Sequence, residues 1–370
     1  MMRIAVTGVG GGVGQAVLRA LQCSALEPDV IGLDVAPASA GLYTCSKGFR
    51  LPHANHVDYA SRLLEVLAAE EVDALIPGSD QELPVLAALQ SRLAEAGVRT
   101  VVGSPEAVAV CRDKLHTFHF FREAGLPFVQ TVPAAQACAL VEAVGFPLLV
   151  KPAGGSASRG ASVVFDEREL SQVVRQTGWI VQPYLAPISL GKARAALTQD
   201  DVLWAGVLRQ EEEFSVQIVF DHEGHTLGRF TSCNVLKSGI PMFVDPRQGD
   251  PVESVALEMA SRLADVGLMG PCNLQFKITE DGPLCFEVNP RFTGITGVRA
   301  AMGFNEVDAV LRRLVLDEPL ERVRRSLRCT GDWVSMRFVD ELLVPRALLS
   351  TLQNTGQVAA KSGGAPENAP

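Results

Sequence analysis

The opening segment, Arg3-Ile4-Ala5-Val6-Thr7 followed at once by Gly8-Val9-Gly10-Gly11-Gly12-Val13-Gly14, constrains the fold more than any other stretch. A short apolar run that ends in glycines and then takes up helical apolar spacing over Val13–Leu21 reads as strand, tight turn and helix. The pattern recurs: Val30–Leu33 is a strand ending at Asp34, Ala60–Ala69 a helix, Ala74–Pro77 a strand, Leu83–Ala96 a helix and Thr100–Gly103 a strand. Alternation of this kind predicts a parallel sheet with helices on both faces. Ser104-Pro105-Glu106 then has the form of a new helix start, with a serine cap and proline in the first turn.

A glycine-rich turn between strand and helix, with an acid at the end of the next strand, is also the outline of a dinucleotide site. Asp34 would take the ribose in that reading, and Tyr43-Thr44-Cys45-Ser46-Lys47 has the Tyr-x-x-x-Lys spacing of short-chain dehydrogenases. Together they define an alternative function, an NAD-dependent oxidoreductase or epimerase. The competing reading is purely steric, because glycines there let the helix pack closely on the strand. The Tyr/Lys pair also follows the second strand, which is the wrong place for that catalytic couple. The six histidines fall in pairs three apart (His53/His56, His116/His119, His222/His225), a spacing that can present two imidazoles to zinc. No carboxylate-rich segment unites them, and solvated histidines are the simpler expectation.

Composition narrows the class. Apolar residues make up 47% and charged residues 20% of 370 residues, as in a globular protein of two or three domains. Apolar stretches such as Leu83–Leu89 are far too short to span a bilayer. Without a long signal-peptide core at the start, the expected location is cytoplasmic. The eight scattered cysteines, none in Cys-x-x-Cys, are expected to be buried thiols. A net charge of −9 argues against a nucleic-acid binder, which needs a basic face.

Chemistry begins after residue 110. The apolar run Phe146–Val150 delivers Lys151 to Pro152-Ala153-Gly154-Gly155-Ser156-Ala157-Ser158-Arg159-Gly160, and Ala161–Phe165 returns as a strand. Glycines and serines between two strands offer backbone N–H groups and hydroxyls to phosphate oxygens, and the lysine adds a point charge. Further on, Cys272–Phe276 and Cys285–Arg291 read as antiparallel strands joined through Asp281-Gly282. Side chains on a strand repeat every second residue, so Gln275 and Lys277 share one face, and Glu287, Asn289 and Arg291 another. Brought together, Gln275, Glu287 and Asn289 form a hard-oxygen set suited to Mg²⁺, which completes its shell with phosphate and water. Arg291 can clamp a phosphoryl group or a carboxylate. The alternate residues Leu274, Phe276, Phe286 and Val288 are apolar, as for an ordered sheet with one polar side.

In order along the chain stand Lys114; Lys151 with its loop; Val181-Gln182-Pro183-Tyr184-Leu185; Glu213-Phe214-Ser215-Val216; Asn273-x-Gln275; and Phe286-Glu287-Val288-Asn289-Pro290-Arg291. This succession resembles the ATP-grasp superfamily, in particular the large-subunit repeats of carbamoyl-phosphate synthetase and stand-alone carboxylate–amine ligases, over residues 1–320. The resemblance implies an α/β and α+β architecture. A Rossmann-like pre-ATP-grasp domain (1–108) precedes a two-subdomain ATP-grasp domain (109–325, hinge near 180–186, insertion 186–212), a C-terminal segment (326–354) and a disordered tail (355–370).

It further implies that Lys114, Lys151 and the loop residues Gly154, Gly155, Ser156, Ser158 and Gly160 meet the phosphates of ATP. Gln182 and the Leu185 backbone would meet adenine, and Glu213 the ribose. Gln275, Glu287 and Asn289 would hold one or two Mg²⁺ (Mn²⁺ as a substitute), while Arg291, and more weakly Lys237, would contact the transferring phosphoryl. Relatives place the ribose glutamate only a few residues after the hinge. Ala186–Glu212 intervenes here, so Glu211 and Glu212 compete with Glu213. For substrate, Asp80 or Glu82 can take an ammonium, and Arg299 or Thr293–Thr296 a carboxylate, with helix capping the alternative for Asp80. The implied activity is ATP-dependent ligation of a small-molecule carboxylate to an amine; the near alternative is phosphorylation of a small carboxylate without ligation. ATP and small molecules are the expected partners, with no nucleic acid, no membrane, and a homodimer allowed.

Overall fold

A computed structural model describes residues 1–155, 160–174, 176–185, 209–237, 239–338 and 340–359. The chain forms two compact units. One comprises Met1–Val102, Arg291–Thr330 and Val339–Pro370; the other comprises Gly103–Pro290 and Gly331–Phe338. No helix among the described residues is long and apolar enough to cross a membrane.

The first unit is built on β1 (Arg3–Thr7), β2 (Asp29–Asp34), β3 (Lys47–Arg50), β4 (Ala74–Ile76) and β5 (Arg99–Thr100). These five are parallel in the order β3-β2-β1-β4-β5. Central strands covered on both faces have no polar side, which is why Ile4, Ala5, Val6, Ile31, Leu33, Leu75 and Ile76 are all fully buried. The strand order reverses between β1 and β4, and the carboxyl ends of strands at such a reversal are where open α/β sheets bind ligands. There Thr7 Oγ1 donates to Glu82 (2.5 Å), Tyr59 O–H donates to the other Glu82 oxygen (2.8 Å), and Gly78 N–H donates to Thr7 Oγ1 (3.1 Å). Burial raises the Glu82 carboxyl to about 7, against the lowering by those two hydroxyls.

The helix predicted over Val13–Leu21 spans Gly12–Gln22. A Cβ on Gly14 would stand 2.3 Å from the Gly8 carbonyl oxygen, so close packing of the helix on the Gly8–Val9 turn requires glycine there, whereas a Cβ on Gly12 would meet nothing within 4 Å. Helices Thr296–Ala301 and Glu306–Leu314 pack on this same helix, and Asn305 Nδ2 donates to the Ala20 carbonyl at 2.8 Å. The region read as one helix over Val298–Leu316 is therefore broken, at Gly303 with φ +95°. Helix Leu83–Ala96 likewise divides at Leu89. The tail expected to be disordered from Thr355 is ordered through Ala359, because Gln357–Ala359 pairs antiparallel with β3; residues 360–370 lie outside the described residues.

The second unit holds two antiparallel sheets. The smaller contains β6 (Val132–Pro133), β7 (Leu148–Pro152), β8 (Ser162–Val164) and β9 (Trp179–Pro183) in the order β6-β9-β7-β8. Its core is Leu140, Leu148, Val150, Val164, Leu170 and Val181. The larger contains β10 (Arg209–Phe220), β11 (Thr226–Lys237), β12 (Ile240–Pro246), β13 (Gly270–Thr279), β14 (Gly282–Asn289) and β15 (Ser335–Met336), in the order β14-β13-β10-β11-β12-β15. One face of this sheet, with Val216, Ile218, Leu274, Phe276 and Val288, packs with Val110, Phe121, Ala256, Met259 and Leu263 from three helices. Among the described residues no disulfide forms; Cys45, Cys111, Cys272 and Cys285 are buried as expected, whereas Cys23 and Cys138 are exposed.

Replacing Gly14 by alanine forces the helix off the Gly8–Val9 backbone. The expected outcome is a loss of about 1–3 kcal/mol of unfolding free energy, measured by urea titration, as for other overpacked sites.

Candidate active site

The polar face of the larger sheet is set by register. Ser215 lies opposite Gln275, and Gln217 opposite Asn273; across the next ladder Gln275 faces Glu287 and Asn273 faces Asn289. Glu213, one period before Ser215, completes the row. Because their neighbours in sequence are core residues, these side chains have no choice of face. Gln275 Nε2 donates to Glu213 at 2.5 Å, and Asn273 Nδ2 donates to Ser215 Oγ at 2.7 Å. Asn289 Nδ2 points to Gln275 Oε1 at 3.4 Å and to Glu287 Oε1 at 3.3 Å. Of the three residues read as a metal set from sequence, Asn289 is thus within hydrogen-bond reach of both others. Their donors are amide and carboxylate oxygens, a half-turn of the Asn289 amide presents its oxygen, and the set fits a hard divalent cation.

The lysines arrive from other elements. Asp113 caps helix Lys114–Glu123 by accepting from Leu115 N–H (2.9 Å) and His116 N–H (3.1 Å), which leaves Lys114 at the first helical position. Its backbone N–H donates to Ala153 (3.1 Å) and its Nζ to the Gly155 carbonyl (3.1 Å), so Lys114 is bound to the start of the glycine loop. Gly155 and Gly160 have φ of +131° and +77°, backbone that only glycine adopts readily. Ser156 and Ser158 lie outside the described residues. Lys151, on β7, is 7% exposed. Burial lowers its ammonium to about 8, with Lys114 pushing the same way and Glu287 and Glu213 opposing. Burial likewise lifts the Glu213 carboxyl to about 7, with Lys277 the strongest opposing charge. Three lysines and two acids of the second unit therefore share one electrostatic environment.

Other expectations distribute differently. Gln182 is 1% exposed and its Nε2 donates to Thr131 Oγ1 at 2.9 Å, so its side chain is engaged on the strand side. Leu185 follows β9 and is half-buried. Lys237 is exposed at the end of β11, opposite Arg209. In the first unit, Arg291 forms a fork with Asp80: Nε to Oδ1 at 2.6 Å and Nη2 to Oδ2 at 3.0 Å. Asp80 thus does not cap a helix; it holds an arginine. Arg299, fully buried, is bound by Glu306, Thr293 and Thr296, which makes it part of the helix packing.

The decoys also resolve. Asp34 accepts from Gly10 N–H (2.7 Å) and Ala36 N–H (3.0 Å), tying the glycine turn to the loop after β2. Tyr43 O–H donates to the Pro37 carbonyl (2.6 Å) while Lys47 Nζ pairs with Glu70 (2.7 Å), so the two do not act on a common point. His225 sits in the β10–β11 turn, where the buried Asp221 accepts from the Glu223 and His225 backbone N–H groups. Lys277, 7% exposed beside Glu213, is the site residue to which the sequence reading assigned no role, although its alternation with Gln275 marks the face.

Comparison with known proteins adds a family to this geometry. Residues 4–102 match the PylC-like N-terminal domain, and residues 113–304, just over half of the chain, match the carbamoyl-phosphate synthase L chain ATP-binding domain. The carbamoyl phosphate synthase large chain of Arthrobacter sp. (strain FB24) is 26% identical over 309 residues, covering 78% of this chain and 26% of that one. That of Beutenbergia cavernae is 27% identical over 216 residues, covering 55% and 18%. The chain thus spans about a quarter or less of the length of these curated relatives.

Among solved structures, N5-carboxyaminoimidazole ribonucleotide synthetase from Thermus thermophilus superimposes with a TM-score of 0.62 at 19% identity, covering 85% of this chain and 79% of that one. L-amino acid ligase from Bacillus licheniformis has a TM-score of 0.62 at 16% identity, with 89% and 78% covered. At such identities the likeness is one of fold, and that fold is ATP-grasp behind an N-terminal α/β domain. Ordered motifs, two antiparallel sheets and the matched length agree, and the chain belongs to the carbamoyl-phosphate synthase L chain, ATP-binding domain family.

Proposed function

We propose that this chain is an ATP-dependent ligase that activates a small-molecule carboxylate as an acyl phosphate and joins it to an amine. The observation that carries the reading is the single polar sheet face holding Glu213, Gln275, Glu287 and Asn289, coupled electrostatically to Lys151 and through it to Lys114. Phosphoryl transfer asks mainly for positioning and charge neutralisation, and such a face supplies both. A carboxylate oxygen attacks the γ-phosphorus and ADP leaves; the amine nitrogen then attacks the acyl carbon, phosphate leaves, and the amine gives up its proton.

In this scheme Lys114, Lys151 and the backbone of Gly154, Gly155 and Gly160 bind phosphate oxygens, with Ser156 and Ser158 assigned by resemblance alone. Glu213 accepts from the ribose hydroxyls, and Gln182 with the Leu185 backbone borders adenine. Gln275, Glu287 and Asn289 would hold Mg²⁺, which supplies neutralising charge to the phosphates when bound. Arg291 is assigned to the transferring phosphoryl by resemblance, with Lys237 the weaker candidate for the same role. The match to carbamoyl phosphate synthase large chains supports a second reading, phosphorylation of a small carboxylate without ligation. Product analysis separates the two: an amide in the first, a free acyl phosphate or its breakdown products in the second. A cytoplasmic, ATP-rich setting suits either, and a homodimer is compatible with both.

A screen of carboxylates and amines for Mg²⁺-dependent ADP release tests the proposal; binding of MgATP without turnover for any pair would sink it. Glu287→Gln should lower turnover by about 10²-fold or more, with the melting temperature nearly unchanged. A folded, fully active variant removes the metal assignment.

The charge balance of the site also predicts a bell-shaped pH dependence of kcat/KM for ATP. Lys151 is cationic only below about 8, so phosphate binding fades as pH rises through that value. Glu213 is anionic only above about 7, so ribose binding fades as pH falls through it. The maximum lies between, Lys151→Met should flatten the alkaline limb, and Glu213→Gln the acid one. Steady-state kinetics from about pH 5 to about pH 10, a range of about two units beyond each value, read this directly.

A further inference from the structure

The loop after β4 carries a carboxylate whose partner is an arginine more than two hundred residues away in sequence. Asp80 grips Arg291 with both oxygens, Nε to Oδ1 at 2.6 Å and Nη2 to Oδ2 at 3.0 Å, while Nη1 donates to the Phe292 carbonyl at 2.9 Å. The two side chains are 16% and 10% exposed, so water competes weakly for the pair. A fork-on-fork contact fixes the plane of a guanidinium as well as its position, and so removes the rotamer freedom that a long arginine otherwise keeps.

Both ends of this contact are anchored. On the loop side, Gly78 is held through its backbone N–H by Thr7 Oγ1 and Glu82 through its carboxylate by Thr7 and Tyr59, so Asp80 stands between two residues that are each tied down. On the arginine side, Phe292 is 1% exposed, and Thr293 N–H is bound by Thr296 Oγ1 at 3.0 Å. In sequence Arg291 comes two residues after Asn289, the last residue of β14. A residue delivered there by a strand end, yet tied sideways to a rigid loop, has its head group set by the loop.

We propose that Asp80 is the positioning residue of Arg291, holding the guanidinium in the orientation in which it receives the transferring phosphoryl group. The inference rests on the phosphoryl-transfer reading above. It differs from the expectation that Asp80 receives a substrate ammonium, since both carboxylate oxygens are committed to the arginine. It differs too from a mere competitor, a carboxylate that occupies Arg291 until substrate displaces it; that role would make removal of Asp80 favourable to substrate binding.

Two readouts on the full chain test it: kcat and KM for Mg²⁺-dependent ADP formation, and the ratio of MgADP to MgATP dissociation constants by calorimetry. Asp80→Asn keeps the size of the side chain and loses the charge. It should lower kcat by about 10²-fold, the penalty of a misplaced catalytic group, with little change in KM for the carboxylate. It should also erase most of the preference for MgATP over MgADP. Arg291→Ala should do the same, and Asp80→Asn added to Arg291→Ala should cost nothing further.

Unchanged kcat in Asp80→Asn, a full additional loss in the Arg291→Ala background, or a lower carboxylate KM at unchanged kcat would each overturn the proposal. If Asp80→Asn does not fold, Asp80→Glu, which keeps the charge but alters its reach, is held to the same non-additivity criterion. A wild-type chain that binds MgATP no better than MgADP removes the functional reading itself, and this inference with it. A wild type that shows the preference and an Asp80→Asn chain that retains it overturn this inference alone.

Discussion

The candidate site depends on the register of three neighbouring strands. Phe214 opposite Phe276, Ser215 opposite Gln275 and Gln275 opposite Glu287 put Glu213, Ser215, Gln217, Asn273, Gln275, Glu287 and Asn289 on one side and Val216, Ile218, Leu274, Phe276 and Val288 on the other. A slip of one residue would send Glu213, Gln275 and Glu287 into the helices and Phe276 and Val288 out of them. The core secures the register at Val216, Ile218, Leu274 and Phe276, all fully buried, so the energy that orders the polar face comes from the opposite face. A bulge between Gln275 and Phe276 breaks the ladder just beside the site, a common device for re-aiming a side chain.

That polar face is electrically poised. Burial alone would drive Glu213 towards its acid form and Lys151 towards its free base; each is restrained by the opposite charges around it. Neither lysine nor acid is comfortable without the others, and a ligand carrying both phosphate and a divalent cation would relieve both. Lys277 belongs to this balance as the strongest charge opposing the rise of Glu213. Glu253, by contrast, is satisfied locally by Arg229, Thr231 and the Gly249 N–H, and serves the helix–sheet packing of the same unit.

Sequence patterns that mimic a site failed for identifiable reasons. Sterics demand glycine at Gly14, and Asp34 spends its oxygens on the backbone N–H groups of Gly10, in the glycine turn itself, and Ala36, in its own loop. The Tyr43/Lys47 spacing presumes a helix, whereas Tyr43 closes a short 3₁₀ turn and Lys47 opens β3, so equal spacing does not place them together. Asp80 and Arg299 were legible as charged residues near the right elements, but their partners, Arg291 and Glu306, depend on folding rather than on spacing.

What the sequence by itself determined was everything that local periodicity controls: the parallel sheet of the first 102 residues, the lysine strand leading to its glycine loop, and the two-residue alternation that puts Gln275 with Lys277 and Glu287 with Asn289. Alternation is a property of backbone geometry and needs no knowledge of neighbours. Only the tertiary structure decided which strands are adjacent, and hence that Glu213 meets Gln275, that Lys151 shares a field with Glu287, and that residues 291–330 pack in space with the first unit although they follow the second in sequence. Those contacts join residues tens to hundreds of positions apart. They are chosen by the burial of Phe276, Val288, Ala16 and Gly297 against their partners, which no short window of sequence contains.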